Sequence, residues 1–204
     1  MDKLYSLELQ LLRTFVITLI VIILWLSPIV AEDEIGSAPP LFSTNPRVEN
    51  LLNILPKAKN LNQAVTIRAA IWKEWMNSFK SNLVGEKLAE AMQHLYNNKL
   101  DAAEKIFGEI IFLEPDFTEA WNKRATVRYL KGDLIGALND IDQVLARQKR
   151  HFGALSGSGL IYIRLGIPKQ ALKSYLLVSK IDPLNEEAKK YIMNLTELIY
   201  GEAL

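Results

Sequence analysis

The chain has 204 residues, half of them hydrophobic, and its 24 lysines and arginines against 23 aspartates and glutamates leave a formal net charge of +1. That composition supports a real core, argues against global disorder, and gives no general electrostatic pull toward nucleic acid. With no cysteine, disulfides, thiolate nucleophiles, zinc–thiolate sites and iron–sulfur clusters are excluded.

Residues 1–14 are mixed, with Lys3 and Arg13 the only cations among them, and Phe15 to Leu26 is apolar apart from Thr18. Ser27 and Pro28 break the run, and Ile29-Val30-Ala31 leads into Glu32-Asp33-Glu34. A charged start, a short apolar run, a helix breaker and a small residue before acids form a secretory signal pattern, with cleavage expected after Ala31. The alternative is an uncleaved signal anchor, since residues 15–31 are at the short end of what crosses a bilayer. Either way, the rest of the chain is expected outside the cytoplasm. Residues 32–46 hold three prolines and no helical period, so they read as a flexible linker.

Residues 47–83 carry two apolar stripes at helical spacing. One is Val48, Leu51, Leu52 and Leu55; the other is Leu61, Val65, Trp72, Trp75, Met76 and Phe79, with Asn60 as its N-cap. They are expected to form a helical hairpin stacked on the first unit of a repeat array.

Residues 84–183 are periodic. Ala103, Ala137 and Ala171 are 34 residues apart, as are Ala91, Ala125 and Gly159, and Phe107, Ile141 and Tyr175. Gly132 and Gly166 share the spacing, with Asn98 one period earlier, and Pro115 and Pro183 flank Lys149 in the same register. The small residues let two helices approach, and the bulky residue fills the space between successive hairpins. The glycines end the first helix of a unit in the left-handed conformation. The prolines mark where the second helix has ended, and Pro168 is expected at a helix start. Three units are expected, 84–117, 118–151 and 152–183. A closing helix within 184–204 carries Leu184, Ala188, Tyr191, Ile192, Leu195 and Leu198 inward, with Glu186, Glu187, Lys189 and Lys190 outward.

This pattern resembles the tetratricopeptide repeat (TPR) family. Trp121, Ala125, Gly132, Ala137 and Ile141 match in the second unit. Gly159, Tyr162, Gly166, Ala171, Tyr175 and Pro183 match in the third, and Ala91, Ala103, Phe107 and Pro115 in the first. Through Ile71-Trp-Lys-Glu-Trp75 and Phe152-Gly-Ala-Leu-Ser-Gly157 the chain also resembles small exported repeat proteins of alphaproteobacteria, which implies a periplasmic location, free or anchored to the inner membrane. The resemblance implies an all-α, right-handed α-solenoid of antiparallel helix hairpins: three TPR units, an N-terminal hairpin on the first repeat, and a capping helix. Three departures stand out. Lys149 replaces a proline, so the junction between the second and third units is expected to be looser or more helical. Lys87 and Leu155 replace the residue Trp121 supplies. Arg124 and Arg128 occupy usually apolar places.

No catalytic set is visible. His94 reads as a packed core histidine on a first helix, and His151 as a turn residue that caps or meets solvent. No metal ligands, no cofactor-binding residues and no nucleic-acid partner are expected. The resemblance implies that the first helix of each unit lines a concave groove. By register that groove holds Leu88, Met92, Leu95 and Tyr96, then Asn122, Lys123, Thr126 and Tyr129, then Gly153, Ser156, Leu160, Ile163 and Arg164. Whether the N-terminal hairpin covers Leu88 and Met92 is left open. Some family members clamp a C-terminal carboxylate with lysine, asparagine and arginine. The matching places here are Leu88, Met92, Lys123, Gly153 and Gly157, of which only Lys123 is cationic, so that clamp is absent. The expected function is non-enzymatic: an exported scaffold or adaptor that binds a protein or peptide partner in cell-envelope assembly, with possible membrane attachment through residues 15–31. The alternatives are a structural or self-associating envelope subunit, or an accessory subunit of an envelope enzyme complex such as cytochrome maturation.

Overall fold

The computed structural model describes residues 45–201. The apolar segment, its expected cleavage site and nearly all of the linker lie outside the described residues. Among the described residues there are nine α-helices and no strand: α1 (Pro46–Ile54, continued by a 3-10 turn over Leu55–Lys57), α2 (Leu61–Met76), α3 (Asn82–Tyr96), α4 (Leu100–Leu113), α5 (Thr118–Lys131), α6 (Leu134–Arg147), α7 (Phe152–Arg164), α8 (Pro168–Ile181) and α9 (Glu186–Tyr200). None of them is long and apolar enough to cross a membrane.

The repeat is written into the backbone. Asn98, Gly132 and Gly166 adopt φ of 55°, 87° and 71°. Around each, the same pair of bonds closes the first helix of a unit: Lys99 to His94, Asp133 to Arg128 and Ile167 to Tyr162 across six residues, and Asn98 to Leu95, Gly132 to Tyr129 and Gly166 to Ile163 inside them. This is the Schellman closure, and the left-handed residue is what permits it. The second helices end alike too, at Glu114, Gln148 and Asp182, with φ of −135°, −137° and −136°. The junction at Lys149 is therefore no looser than the two that carry proline. A proline restrains its predecessor to extended backbone, but Gln148 is already held there by packing and by its hydrogen bond to Glu49. Pro168 opens α8 as expected.

Each 34-residue row packs as its residue sizes require. Ala91, Ala103, Ala137 and Ala171 are completely buried, and Phe107 and Tyr175 nearly so. Gly159 takes the alanine position of the third unit because its partner is a tyrosine: a Cβ there would lie 2.6 Å from the Tyr175 ring. We expect Gly159→Ala to destabilise the domain by about 1–3 kcal/mol through overpacking, measured as a lower urea midpoint at unchanged m value. Combining it with Tyr175→Leu should recover part of the loss.

One expectation is overturned. The α1–α2 hairpin does not stack on the first repeat. Val48, Leu52, Leu55, Ala64, Ile67, Ile71 and Trp75 share a core with Phe152, Leu155, Leu172, Val178 and Ile181 of α7 and α8 and with Ala188 and Leu195 of α9. Only the end of the hairpin, at Met76 and Phe79, reaches the first-repeat core. The chain thus runs back along its own array. The closing helix exposes Glu186, Glu187, Lys189 and Lys190 as expected, but Leu198 is exposed with them, against its expected inward position.

Candidate functional site

The hairpin is pinned at the three turns between successive units. Positions 114, 148 and 182 are 34 residues apart and each carries a polar side chain. Glu114 accepts the backbone N–H groups of Lys80 and Ser81, both at 2.8 Å. Gln148 donates to Glu49 at 3.1 Å, and Arg68 donates to Asp182 at 2.6 Å. Burial pushes the Glu114 carboxyl up, but the Lys80 N–H, the Ser81 hydroxyl and N–H, and the Lys80 charge together hold the group below its usual range. Arg150 adds bonds to Asn53 and Glu49. These ties lay α2 along the N-terminal ends of α5 and α7, the helices expected to line the inner face.

The middle of that seam is aromatic. Trp75 stacks on His151 at 3.9 Å between centroids, Trp72 meets Trp75 edge-on at 5.3 Å, and Phe152 closes against both tryptophans at 5.1–5.5 Å. The two segments singled out in the sequence, 71–75 and 152–157, are thus the two sides of one contact. Gly153 is needed there, since a Cβ would lie 2.6 Å from the Trp72 ring. Beneath the rings, His151 and Glu119 are both fully buried and 2.8 Å apart. The Nδ1 atom of His151 accepts the Ala154 N–H and so caps α7. Nε2 therefore carries the proton and donates it to the Glu119 carboxylate. Burial pushes that carboxyl up, yet the hydrogen bond from His151, together with the Lys123 charge and the Asn122 amide, holds it below the usual range. His151 caps its helix as expected and meets no solvent. His94 is not a core residue: its side chain is 28% exposed and lies 3.8 Å from Glu90.

Beyond the hairpin an open pocket remains, a cavity of about 100 Å³ lined by Asn122, Ala125, Thr126 and Tyr129 of α5, Ile141 of α6, and Gly153, Gly157, Leu160 and Ile161 of α7. Of the thirteen groove residues expected from the sequence, the structure brings Asn122, Thr126, Tyr129, Gly153 and Leu160 together here. Lys123 sits instead with its ammonium 5.2 Å from the Trp72 ring centroid. Ser156 is half-buried beside the pocket on α7. Arg164 donates to the Tyr129 carbonyl at the pocket's end, and Ile163 is exposed. The first-repeat residues do not join: Leu88 is buried, Met92 and Leu95 pack into the core of that repeat, and Tyr96 is 90% exposed. The expected groove is thus split between a covered stretch and an open one. Among the described residues no group of three or more His, Asp and Glu could hold a metal ion.

A TPR repeat-containing protein of Rhizobium etli is 30% identical over 175 residues, which is 85% of this chain and 82% of that protein. The chain belongs to the tetratricopeptide repeat proteins. No protein-family model matches it. The first TPR domain of Spaghetti (RPAP3), solved with the HSP90 peptide SRMEEVD, superposes with a TM-score of 0.57 at 18% identity, over 60% of this chain and 98% of that one. The TPR2B domain of yeast Sti1, solved as a complex with pHsp70, does so at 0.54 and 14%, over 58% and 99%. At these identities the likeness shows the fold alone, an all-helical TPR solenoid.

Within this TPR solenoid, sequence reasoning missed Trp72 and Trp75 as inner-face residues and left Ala125, Ile141 and Ile161 out of the pocket. The signal for the first pair was present, since a Trp-x-x-Trp on an amphipathic helix and a glycine opening another helix are complementary shapes. Arg124 and Arg128, in places that are usually apolar, share one buried carboxylate. Asp140 receives Arg124 at 2.7 and 2.9 Å and Arg128 at 3.0 Å.

Gly157 differs from Gly153 and Gly159: a Cβ there would meet only the Ile141 methyl at 3.5 Å. Alanine fits that space and suits a helix better than glycine by about 1 kcal/mol. We expect Gly157→Ala to raise the thermal midpoint by a few degrees, a gain checked by circular dichroism melting, while narrowing the pocket.

Proposed function

We propose that this TPR protein is an exported, non-catalytic scaffold that holds a segment of a partner protein in the pocket between α5 and α7, in assembly of the cell envelope. The observation that carries this reading is the pocket itself. Its floor is apolar, at Ala125, Ile141 and Ile161, its rim offers Asn122, Thr126 and Tyr129, and Gly157 leaves backbone open on one wall. A few polar groups around a concave apolar patch are what orient a bound chain, and missing Cβ atoms let a second backbone come close. The peptide in the RPAP3 complex supports a peptide ligand. The clamp places here are Leu88, Met92, Lys123, Gly153 and Gly157, so an apolar side chain rather than a terminal carboxylate is the favoured anchor. Export rests on the signal pattern of residues 1–31, and retention of 15–31 would hold the protein at the inner membrane.

A second reading, a structural subunit whose inner face is filled by its own chain, is favoured by the hairpin on α7 and α8. The open pocket beyond the hairpin weighs against it.

A photo-crosslinking residue placed in vivo at Thr126 or Leu160 should capture one envelope protein, while the same residue at Tyr96 should not. Capture of nothing, or of this chain alone, would overturn the scaffold reading. Fractionation with N-terminal sequencing should find a mature chain starting at Glu32; a chain starting at Met1 in the membrane fraction would mean anchoring instead.

A further inference from the structure

We propose that α2 is a displaceable stand-in for a partner helix. The surface it covers on α7, α8 and the turn at Asp182 would accept an amphipathic helix of another protein that carries an arginine and, three, four and seven residues later, an apolar residue and two aromatics. In this chain those positions are Arg68, Ile71, Trp72 and Trp75. The proposal rests on the inner face being a protein-binding surface, and concerns its covered stretch rather than the open pocket.

The covered surface is shaped for a helix rather than for an extended strand. The Trp72 ring lies against Gly153, where any Cβ would collide with it, and Trp75 lies flat on His151. One turn and more along the same face, Arg68 reaches the turn that ends α8. Anchors at i, i+4 and i+7 are how an amphipathic helix is read in a groove.

The fit of α2 is incomplete at one atom. Asp182 is completely buried, and Arg68 gives a single nitrogen to Oδ2. Oδ1 is buried and has no hydrogen-bond partner. A guanidinium placed to grip a carboxylate donates two parallel bonds, so the intramolecular occupant leaves an acceptor that a better-placed arginine would fill. This also identifies the occupant. A second copy of this chain would bring the same α2 and leave the same oxygen unpaired, gaining nothing by exchange; a partner helix with its arginine set differently gains a bond.

The hairpin can leave without dismantling the first two repeats. Its covalent link to the repeats runs only through residues 77–81, and its outer side meets water: Ile54, Leu61 and Val65 are 40–50% exposed. The second-repeat core contains no residue of α1 or α2, and the first-repeat core includes only Met76 from them. Among its polar ties to the array, Arg150 to Glu49 is partly exposed, and such pairs hold weakly.

A fluorescent synthetic peptide of residues 61–76 tests this on the full chain. The tethered copy competes with it, so wild-type protein should bind the peptide weakly. A Trp72→Ala/Trp75→Ala chain, whose own α2 is weakened while the α7–α8 surface is untouched, should bind it at least tenfold more tightly. A peptide with Arg68→Ala should lose at least tenfold of that gain, as should Asp182→Asn in the protein. If the double variant loses its helical circular dichroism, an Arg68→Ala chain, which keeps both tryptophans, takes its place with the same expectation. Equal binding by wild type and variant, or binding by neither, overturns the proposal. So does a stable dimer of the variant by light scattering, which would mean exchange between copies. Gly157→Val closes the pocket and leaves the α7–α8 surface intact: it should abolish crosslinks from Thr126 without changing peptide binding, so the two readings fail separately.

Discussion

His151→Ala should cost the domain about 3–5 kcal/mol of unfolding free energy, the range seen when one partner of a buried pair is removed. Three losses coincide. Glu119 keeps its carboxylate in a site with no solvent exposure but loses its closest hydrogen bond. Trp75 loses the ring on which it lies, and α7 loses its N-cap. The pH dependence separates this from a simple cavity. In the native protein the Glu119 carboxyl is held below its ordinary value of 4.5. Its contribution is therefore fully present above that value and is lost as pH falls through the folded value. In the variant the imidazole bond is gone, so burial is opposed only by the Lys123 charge and the Asn122 amide, and Glu119 has less stability to lose as pH falls. The gap between wild type and variant, read from urea midpoints at pH 7, 5, 4 and 3, should narrow in acid. A gap that is constant with pH would mean the two groups are not coupled.

Asp140→Ala should be the next most damaging substitution, at about 2–3 kcal/mol. Asp140 is 1% exposed on α6 and takes hydrogen bonds from both Arg124 and Arg128 of α5. Removing it leaves two guanidinium groups facing an apolar contact, but both are about a fifth exposed and can recover some hydration, which discounts the full cost of breaking a buried pair. Arg128 also keeps Glu104 at 2.8 Å. Because the shared carboxylate is buried, salt should screen little of the effect. Chemical denaturation at about 0.05 M and about 0.5 M salt should give the same difference between wild type and variant. A difference that disappears at high salt would place the interaction at the surface.

These two sites show where the sequence was legible and where it was not. The solenoid was readable because each constraint is local and recurs. An alanine against a bulky residue, and a left-handed residue closing a helix, repeat at fixed spacing, so Asn98 could be placed beside Gly132 and Gly166 from spacing alone. Arg124 and Arg128 were readable as anomalies but not as a pair closed on Asp140, since charge pairing across two helices depends on their rotation. The hairpin was readable as two amphipathic helices, yet its destination was not. A stripe such as Ile67, Ile71 and Trp75 says that one face must be buried but not against what. Adjacency along the chain pointed to the first repeat, whereas the tryptophans of α2 found their complement at His151, Phe152 and Gly153, where the third begins. The row Glu114, Gln148 and Asp182 was available in the same register as Pro115, Lys149 and Pro183. It was hidden because polar residues in turns are ordinarily taken as solvated.

The most direct measurement is hydrogen exchange by mass spectrometry on Gly153→Val. If α2 is held on the inner face by the third repeat, the added side chain displaces Trp72, and exchange should rise in residues 46–76 and around His151. Exchange in α3 and α4 should stay at wild-type levels, because Met76 is the only residue of α1 or α2 that packs against the first-repeat core. Faster exchange in α3 and α4 with none in α2, or no change anywhere, would contradict a hairpin that folds back onto the third repeat.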